Sequence, residues 1–146
     1  MVIQNQGFLQ DGPVPFQQIA DILVKINALN IGAYSIFLGQ VRADVLEEKK
    51  VKYIEYSSYP QMVEAEMKKI LDHCFSLYSD IEFVHVVHST GIVKAGELSL
   101  LVIVGCGHRK ESFKAVETIV ELIKERLPVW KKEYFSDDSY IWTQNK

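Results

Sequence analysis

Apolar residues recur along the chain at the two spacings that distinguish amphipathic helices from strands. Spacings of three and four residues predict three helices, namely Pro15 to Ala28, a helix that begins at Pro60, and His108 to Arg126. Pro60 suits the first turn of its helix, and Pro128 ends the third. The positions expected to face the core on the first two helices are Ile19, Ile22, Leu23 and Ile26, then Met62, Met67, Ile70, Leu71 and Phe75.

Shorter apolar or alternating segments predict the strands of a sheet. Gly91 and Gly96 are expected to bracket a turn, and Glu47 to Lys50 to form a charged loop. The predicted strands are Ala33 to Val41, Val51 to Ser57, Ile81 to Val87, Leu98 to Val104, and two short strands around Ser136-Asp137-Asp138. Because helices alternate with strands, we predict an α/β sandwich with a mixed sheet. A length of 146 residues suits a single domain over residues 1–146.

Composition narrows the class of protein. The formal net charge is −3, from 16 Lys plus Arg against 19 Asp plus Glu, which argues against a general nucleic-acid binder but not against a local basic pocket. Two cysteines are fewer than the disulfide framework of a small secreted domain requires. The first residues lack the pattern of a signal peptide, and the longest apolar run, Leu98 to Val104, is too short to span a bilayer. We therefore expect a reduced, soluble, cytoplasmic protein that has no membrane segment.

The segment Gly105-Cys106-Gly107-His108-Arg109 joins a buried strand to the start of a helix. Free backbone N–H groups and the helix dipole favour anion binding there. A bound anion would also explain Arg109, a cation at the end of a helix whose dipole opposes it. The alternative is that Arg109 pairs with a carboxylate such as Glu111 or Glu55. His108 either binds phosphate or exchanges protons near neutral pH, or it only caps the helix.

The two cysteines pose a choice between sulfur chemistry and packing. A thiol at a helix N-terminus beside His108 and Arg109 has the surroundings that lower a thiol pKa, so Cys106 is a candidate persulfide carrier. A buried cysteine more often acts as a small apolar residue, and we favour that interpretation for Cys106. Cys74 lies among the apolar positions of the second helix, and we interpret it as packing.

Lysines near the end of the third helix form a second candidate cluster. Its members are Lys124, Lys131 and Lys132, with Glu133 next in the chain. On a helical wheel Lys124 lies at the edge of a stripe made by Arg109, Phe113, Val116, Val120 and Leu127. A partly desolvated ammonium beside other cations has a lowered pKa, which suits a nucleophile or a proton donor. The alternative is a lysine whose stem packs while its head stays in water.

A third candidate is the arginine at the carboxyl end of a predicted strand, where α/β sheets commonly contact ligands. Arg42 follows Phe37, Gly39, Gln40 and Val41, and a guanidinium can hold a phosphate through two hydrogen bonds. The alternative is an ordinary surface charge.

The ordered set of motifs resembles one family. Its members here are Gly32-Ala33, Phe37-x-Gly39-x-Val41-Arg42, Glu55-Tyr56, Tyr59, Met62, His88, Gly91, Gly96-Glu97, His108-Arg109, Phe113, Ala115, Ile123-Lys124 and Pro128-Val129-Trp130-Lys131-Lys132-Glu133. Together they resemble the large subunit of molybdopterin synthase from about Val14 to Glu133. Two features depart from the family pattern. Ser89 stands where an arginine usually follows the histidine, so we assign no anion contact to that turn, and Asp44 to Lys50 matches no motif.

The resemblance implies a fold, a reaction and partners. The fold is an α/β hammerhead with helices on a mixed sheet and a small antiparallel subsheet. The substrate is cyclic pyranopterin monophosphate, and the sulfur arrives as a thiocarboxylate on the C-terminal Gly-Gly of a small ubiquitin-like subunit. Two sulfur transfers, with opening of the cyclic phosphate, yield molybdopterin without a catalytic cysteine, a metal or a cofactor in this chain. Relatives form a central dimer of large subunits with a small subunit at each end.

The resemblance also implies the site. Lys124, beside the terminus of the incoming tail, and Lys131, beside the pterin, are the catalytic pair. The substrate-binding set is Phe37, Gln40, Val41, Arg42, His108, Arg109, Lys124, Lys131, Lys132 and Glu133. We expect Arg42, His108, Arg109 and the catalytic lysines to converge on one pocket, and the sequence does not decide whether a second chain completes it. Lys132 should point to the face opposite Lys131, because side chains alternate along a strand.

Two rival hypotheses remain at this stage. One is a sulfurtransferase that carries persulfide on Cys106. The other is an adaptor without catalytic activity that only grips ubiquitin-like tails, which would leave Arg42, His108 and Arg109 without a purpose.

Overall fold

The computed structural model describes residues 2–26 and 28–144, except for the side chain of residue 144. The described helices are α1 (Phe16–Lys25), α2 (Pro60–Leu77) and α3 (Arg109–Arg126). The described strands are β1 (Ile3–Gln4), β2 (Leu9–Asp11), β3 (Ala33–Gln40), β4 (Val45–Leu46), β5 (Lys49–Ser58), β6 (Ile81–Lys94), β7 (Leu98–Cys106), β8 (Val129–Phe135) and β9 (Tyr140–Gln144). Both strands predicted around residues 136–138 are therefore confirmed.

These strands form a sheet in the order β3-β7-β6-β5-β8-β9, with β4 paired to β5 and both β1 and β2 paired to β6. The pairings of β1 and β2 with β6 are parallel, and the others are antiparallel. The predicted mixed sheet is confirmed, although parallel pairing is confined to two short strands.

Strand β7 shows why helices pack on both faces of the sheet. All nine of its residues are buried, and successive side chains of a strand point to opposite faces. Leu100, Val102 and Val104 join the core that α2 and α3 cover. Leu101 and Ile103 join the second core, under α1. Because neither face of β7 meets water, both sets of alternating side chains are mostly apolar, and the strand is a nearly continuous apolar run in the sequence.

Several boundaries differ from the prediction. Helix α1 ends at Lys25 rather than Ala28, and residue 27 lies outside the described residues. Gly91 lies within β6, which continues to Lys94, so it does not bracket the turn. The charged segment is a two-residue hairpin turn between β4 and β5, because Glu47 and Glu48 both have positive φ.

The predicted buried faces of two helices are confirmed in part. On α2 Met67, Ile70 and Leu71 are buried as predicted, whereas Met62 is 54% exposed. Val120 on α3 and Leu127 just after it are buried as predicted, whereas Phe113 is 61% exposed and Ser112 and Ala115 are fully buried. Small side chains let this part of α3 lie close to β3, where the hydroxyls of Ser112 and Ser35 are hydrogen-bonded. An apolar wheel does not identify buried positions that hold small or polar residues.

Candidate active site

The predicted lysine pair lies beside a buried aromatic floor where β5, β6, β8 and the end of α3 meet. Lys131 on β8 is directly opposite Tyr56 on β5, and opposite residues of an antiparallel pair share a face of the sheet. The Tyr56 ring packs edge-on against His88 of β6, with the centroids 5.2 Å apart. The charges of both Lys124 and Lys131 act on His88. The structure thus brings the two lysines to one location.

Lys124 occupies the last turn of α3 and is half-buried. Burial lowers the pKa of Lys124 below its ordinary value, and the neighbouring positive charge of Lys131 lowers the pKa further. Both causes disfavour the charged form of an amine. This is the partly desolvated, cation-flanked ammonium that the sequence predicted, and it is suited to release a proton.

His88 is a buried residue to which the sequence analysis gave no role beyond matching a family position. Its side chain is only 1% exposed, and its Nδ1 lies 2.7 Å from the backbone carbonyl oxygen of Ser89. Burial is the main reason that the pKa of His88 falls to about 4, and the charges of Lys124 and Lys131 lower the pKa as well. His88 is therefore a neutral imidazole at neutral pH. A histidine within an apolar strand was the signal that could have drawn attention to it.

Tyr56 is held by a chain of hydrogen bonds. Its hydroxyl donates to Ser99 Oγ at 3.1 Å, and Ser99 Oγ donates to the carbonyl of Gly39 at 3.5 Å. Burial raises the pKa of Tyr56, and the negative charge of Glu133 raises it further. Glu133 lies two residues from Lys131 on β8, so both side chains share the face that carries Tyr56. The tyrosine thus remains protonated and forms a fixed wall of the site.

Lys132 lies on the opposite face of β8, as predicted. Its ammonium lies over three aromatic rings, 3.8 Å from the centroid of Tyr140, 5.1 Å from that of Tyr134 and 5.3 Å from that of Trp142. Such cation–π contacts hold the side chain away from Lys131. Lys132 is consequently a natural control for the two site lysines.

Arg42 is exposed and binds a neighbouring carboxylate. Its Nε lies 2.8 Å from Asp44 Oδ1, and its side chain is 85% exposed. With Gln40 it lines an open cleft that also contains Lys50 and Lys52. Lys131 is the charge that lowers the pKa of Lys124, and Lys124 and Lys131 are the charges that lower the pKa of His88. Arg42 is not among these charges.

The other two residues of this segment are in or against the core. Val41 is 2% exposed, and its backbone N–H and carbonyl are bonded to Glu97 and Gly96. Phe37 packs against the larger core. Val41 still lines the cleft with Gln40, and the substrate-binding roles of Phe37, Gln40 and Val41 stay predictions.

His108 and Arg109 lie at the opposite end of α3 from Lys124. Fifteen residues of helix separate Arg109 from Lys124, which corresponds to roughly 22 Å at the ordinary helical rise. The pair lines a separate depression with Gly32, Ala33, Gly107 and Lys110. The expectation that these residues share one pocket with the lysines is therefore wrong within a single chain.

A carboxylate of the protein already occupies part of the predicted anion site at the start of α3. Asp80 Oδ2 accepts a hydrogen bond from the backbone N–H of His108 at 2.7 Å and lies 3.3 Å from its ring Nδ1. A Cβ on Gly107 would lie only 2.6 Å from Asp80 Oδ1, so glycine permits this approach. No carboxylate pairs with Arg109 among the residues described. The guanidinium of Arg109 is exposed to solvent.

Both cysteines are buried and unpaired, as the packing interpretation predicted. Burial raises the pKa of Cys74 and of Cys106 to about 11. For Cys106, the carboxylates of Asp80, Glu111 and Glu82 raise the pKa as well. A protonated thiol without access to solvent is a poor nucleophile, so the geometry does not support Cys106 as a persulfide carrier.

Residues 2–26 and 28–144 contain neither a helix that could span a membrane nor a cluster of metal ligands. None of the helices there combines the length and apolar content needed to cross a bilayer. In the same part of the chain, no three His, Cys, Asp or Glu side chains are grouped as a metal site would require.

Comparison with known families decides the relationship of the chain. A family model described as MoaE protein matches residues 9–126, which is well over half of the sequence. The chain belongs to the MoaE family. Members of this family include curated proteins named molybdopterin synthase catalytic subunit.

The relatives cover most of the chain. The subunit of that name from Taeniopygia guttata is 38% identical over 115 residues, 79% of this chain and 73% of the relative. The one from Emericella nidulans is 34% identical over 124 residues, 85% of this chain and 63% of the relative. The crystal structure of molybdopterin synthase from Staphylococcus aureus matches with a TM-score of 0.83 at 29% identity, covering 95% of this chain and 97% of that chain. A complex of subunits 1 and 2 of molybdopterin-converting factor from Helicobacter pylori shares the fold, with a TM-score of 0.78 at 20% identity over 95% of this chain and 90% of that one.

The buried thiols lead to a first prediction. We expect neither Cys74 nor Cys106 to react with a disulfide reagent at pH 8 while the protein is folded, and both to react in guanidinium chloride, because burial keeps them protonated. Cys106→Ala should also retain most of the activity of the MoaE-family enzyme. A thiol that titrates rapidly in the folded protein, together with loss of turnover in a folded Cys106→Ala variant, would restore the persulfide hypothesis.

Proposed function

We propose that this chain is the catalytic subunit of a molybdopterin synthase. It transfers two sulfurs from the thiocarboxylated tail of a small ubiquitin-like subunit to cyclic pyranopterin monophosphate, as part of molybdenum cofactor biosynthesis. The observation that carries the proposal is the pair of lysines, Lys124 and Lys131, next to the buried Tyr56 and His88. Membership of the MoaE family and the two-subunit complex of the Helicobacter relative support the same assignment.

The charges of the site suit this chemistry. The tail ends in an anion and the substrate carries a phosphate, so both attract ammonium groups. Once the sulfur has bonded to the substrate, water cleaves the acyl–sulfur bond and leaves a carboxylate on the tail and a thiolate on the pterin, and the cyclic phosphate opens. Negative charge develops at these steps, and the leaving groups need protons. Lys124 has a lowered pKa and is therefore the better proton donor in its half-buried position. Lys131, on the strand beside it, adds positive charge and a second proton source.

A cysteine is unnecessary in this scheme, because the sulfur arrives on the partner. The two free thiols are consistent with a reducing compartment, and we place the reaction in the cytoplasm. The adaptor alternative would need only a surface for the tail, and it gives no reason for a desolvated Lys124 beside a second cation.

We further propose that a second copy of the chain brings His108 and Arg109 to the site. Helix α3 is too long for one chain to do so, whereas a dimer can place the start of one α3 near the end of the other. Strand β3 is an edge strand of the sheet beside His108. It exposes a row of alternate apolar side chains, Tyr34, Ile36 and Leu38, at 42%, 41% and 39%. An exposed apolar row on an unpaired edge favours association.

The lysine pair gives the second prediction. Lys124→Ala and Lys131→Ala should fold normally, since partly exposed lysines contribute little stability. Each should lower turnover by at least ~100-fold, the scale for loss of a positioned proton donor or charge. Lys132→Ala is the matched control, because its ammonium lies on the opposite face, and it should have a weaker effect. Turnover is measured with the thiocarboxylated small subunit and the cyclic phosphate.

Lys131→Arg separates charge from proton transfer in the same assay. A guanidinium keeps the positive charge but does not release a proton near neutral pH, so we expect this variant to fail as well. Full turnover in Lys131→Arg would show that the residue supplies charge alone. Equal losses in Lys124→Ala, Lys131→Ala and Lys132→Ala would contradict the assignment of the site to one face.

Subunit mixing gives the third prediction. Lys124→Ala and Arg109→Ala chains should each be inactive alone. If sites are shared across a dimer, one in four sites of an equal, randomly exchanged mixture contains both native residues, so about a quarter of native turnover should return. Recovery no greater than the sum of the separate variants would show that the dimer does not share its sites.

A further inference from the structure

His88 is a polar ring in an apolar environment, which is costly unless its nitrogens have partners. It is 1% exposed and lies near the middle of β6, where it pairs with Leu100 of β7 and Leu9 of β2. The carbonyl oxygen of Ser89 can only accept, so the 2.7 Å contact requires that His88 Nδ1 carries the hydrogen. In a neutral imidazole, Nε2 then carries a lone pair.

The groups around His88 limit which donor can meet that lone pair. From β5, the Tyr56 ring is perpendicular to the imidazole, and its hydroxyl donates to Ser99 rather than to His88. From α2, the Glu64 carboxylate is an acceptor and binds the backbone N–H of Phe8. From β8, the negative charge of Glu133 acts on Tyr56. The Glu133 carboxylate is also an acceptor and cannot donate. The remaining charged groups are the ammoniums of Lys124 and Lys131, which both act on His88.

Lys124 is the better match of the two. Its charge acts more strongly on His88 than that of Lys131 does, and burial lowers the pKa of Lys124 itself. A half-buried ammonium has three N–H donors to satisfy. An imidazole lone pair on the buried side would orient the ammonium toward the substrate and the tail.

We propose that His88 is a positioning residue for Lys124, whose ammonium donates a hydrogen bond to the Nε2 lone pair of His88. The carbonyl of Ser89 fixes the tautomer, the Tyr56 ring fixes the plane of the imidazole, and the imidazole in turn fixes the direction of the lysine. The catalytic role of this hydrogen bond rests on the proposed function, because Lys124 would use it during sulfur transfer. The hydrogen bond itself can be tested without the reaction.

The sign of the effect on Lys124 follows from which form the hydrogen bond stabilises. An acceptor favours the ammonium and so raises the pKa of Lys124, opposite to the effect of burial and of Lys131. His88, with its pKa at about 4, does not take the proton at neutral pH. Lys124 thus keeps its proton until the reaction requires it, and loss of the acceptor would lower the pKa of Lys124 further.

The test is the titration of Lys124 in the full-length chain, followed through the Cε resonance of 13C-labelled lysine and assigned with Lys124→Arg. His88→Phe keeps an aromatic ring against Tyr56 but removes the lone pair, whereas His88→Gln keeps an acceptor near the Nε2 position. We expect the pKa of Lys124 to fall by roughly one pH unit in His88→Phe, the scale of a hydrogen bond to a charged group. It should stay within about half a unit of the native value in His88→Gln.

An unchanged pKa of Lys124 in folded His88→Phe would overturn the proposal. An equal fall of this pKa in His88→Phe and His88→Gln would also overturn it, because the loss of packing alone would then explain the change. If His88→Phe does not fold, the 15N shifts of the native His88 ring decide, and a proton on Nε2 overturns the assigned tautomer. Turnover gives a separate comparison. The alkaline limb of the pH profile should move to lower pH in His88→Phe, and a shifted titration with unshifted turnover would leave the contact intact while removing Lys124 from the reaction.

Discussion

The mutual repulsion of Lys124 and Lys131 is the constraint around which the rest of the site is arranged. Two ammoniums at the edge of an apolar core are unfavourable both because they are alike in charge and because both are half-buried. The fold holds them there with rigid elements, since Lys131 is fixed by the β5–β8 pairing and Lys124 by the packing of α3 on the sheet. An anion that enters between them relieves the repulsion, so the free site favours an anionic ligand.

The buried floor has a related role. Tyr56 and His88 are both kept neutral by burial, the first with a raised pKa and the second with a pKa of about 4. Neither group neutralises the lysines or competes for an incoming anion. The positive charge of the site is therefore confined to the ammoniums of Lys124 and Lys131. In the proposed reaction the tail terminus and the substrate phosphate meet there.

The sequence predicted the helices, most of the strands and the candidate lysine pair. It did not predict features that depend on how the strands are aligned or on which helix positions are buried. Apolar spacing located the three helices because each packs apolar side chains against a core. It misplaced Met62 and Phe113 because the buried faces of α2 and α3 are set by neighbours, and on α3 by the small residues Ser112 and Ala115. A predicted helix that spans His108, Arg109 and Lys124 already implies that one chain keeps them apart, so their convergence requires a second chain.

Other features depend on contacts between segments that are distant in the sequence. The position of Lys131 opposite Tyr56 is a strand register, and the tautomer of His88 depends on one carbonyl oxygen. The Asp80 carboxylate at the start of α3 comes from the loop before β6, which no local pattern joins to His108. Long-range pairings of this kind are the part of a site that a spacing argument leaves undetermined.

The central claim is that sulfur reaches the pterin from the tail of a small subunit through the lysine site of this chain. The most direct measurement combines the purified chain with the thiocarboxylated small subunit and cyclic pyranopterin monophosphate, and counts the tails desulfurised for each molybdopterin formed. The account predicts conversion with two tails consumed for each product. Binding of the tail without conversion would contradict it in favour of an adaptor, and conversion that proceeds with an ordinary carboxylate tail and persulfide on this chain would contradict it in favour of cysteine chemistry.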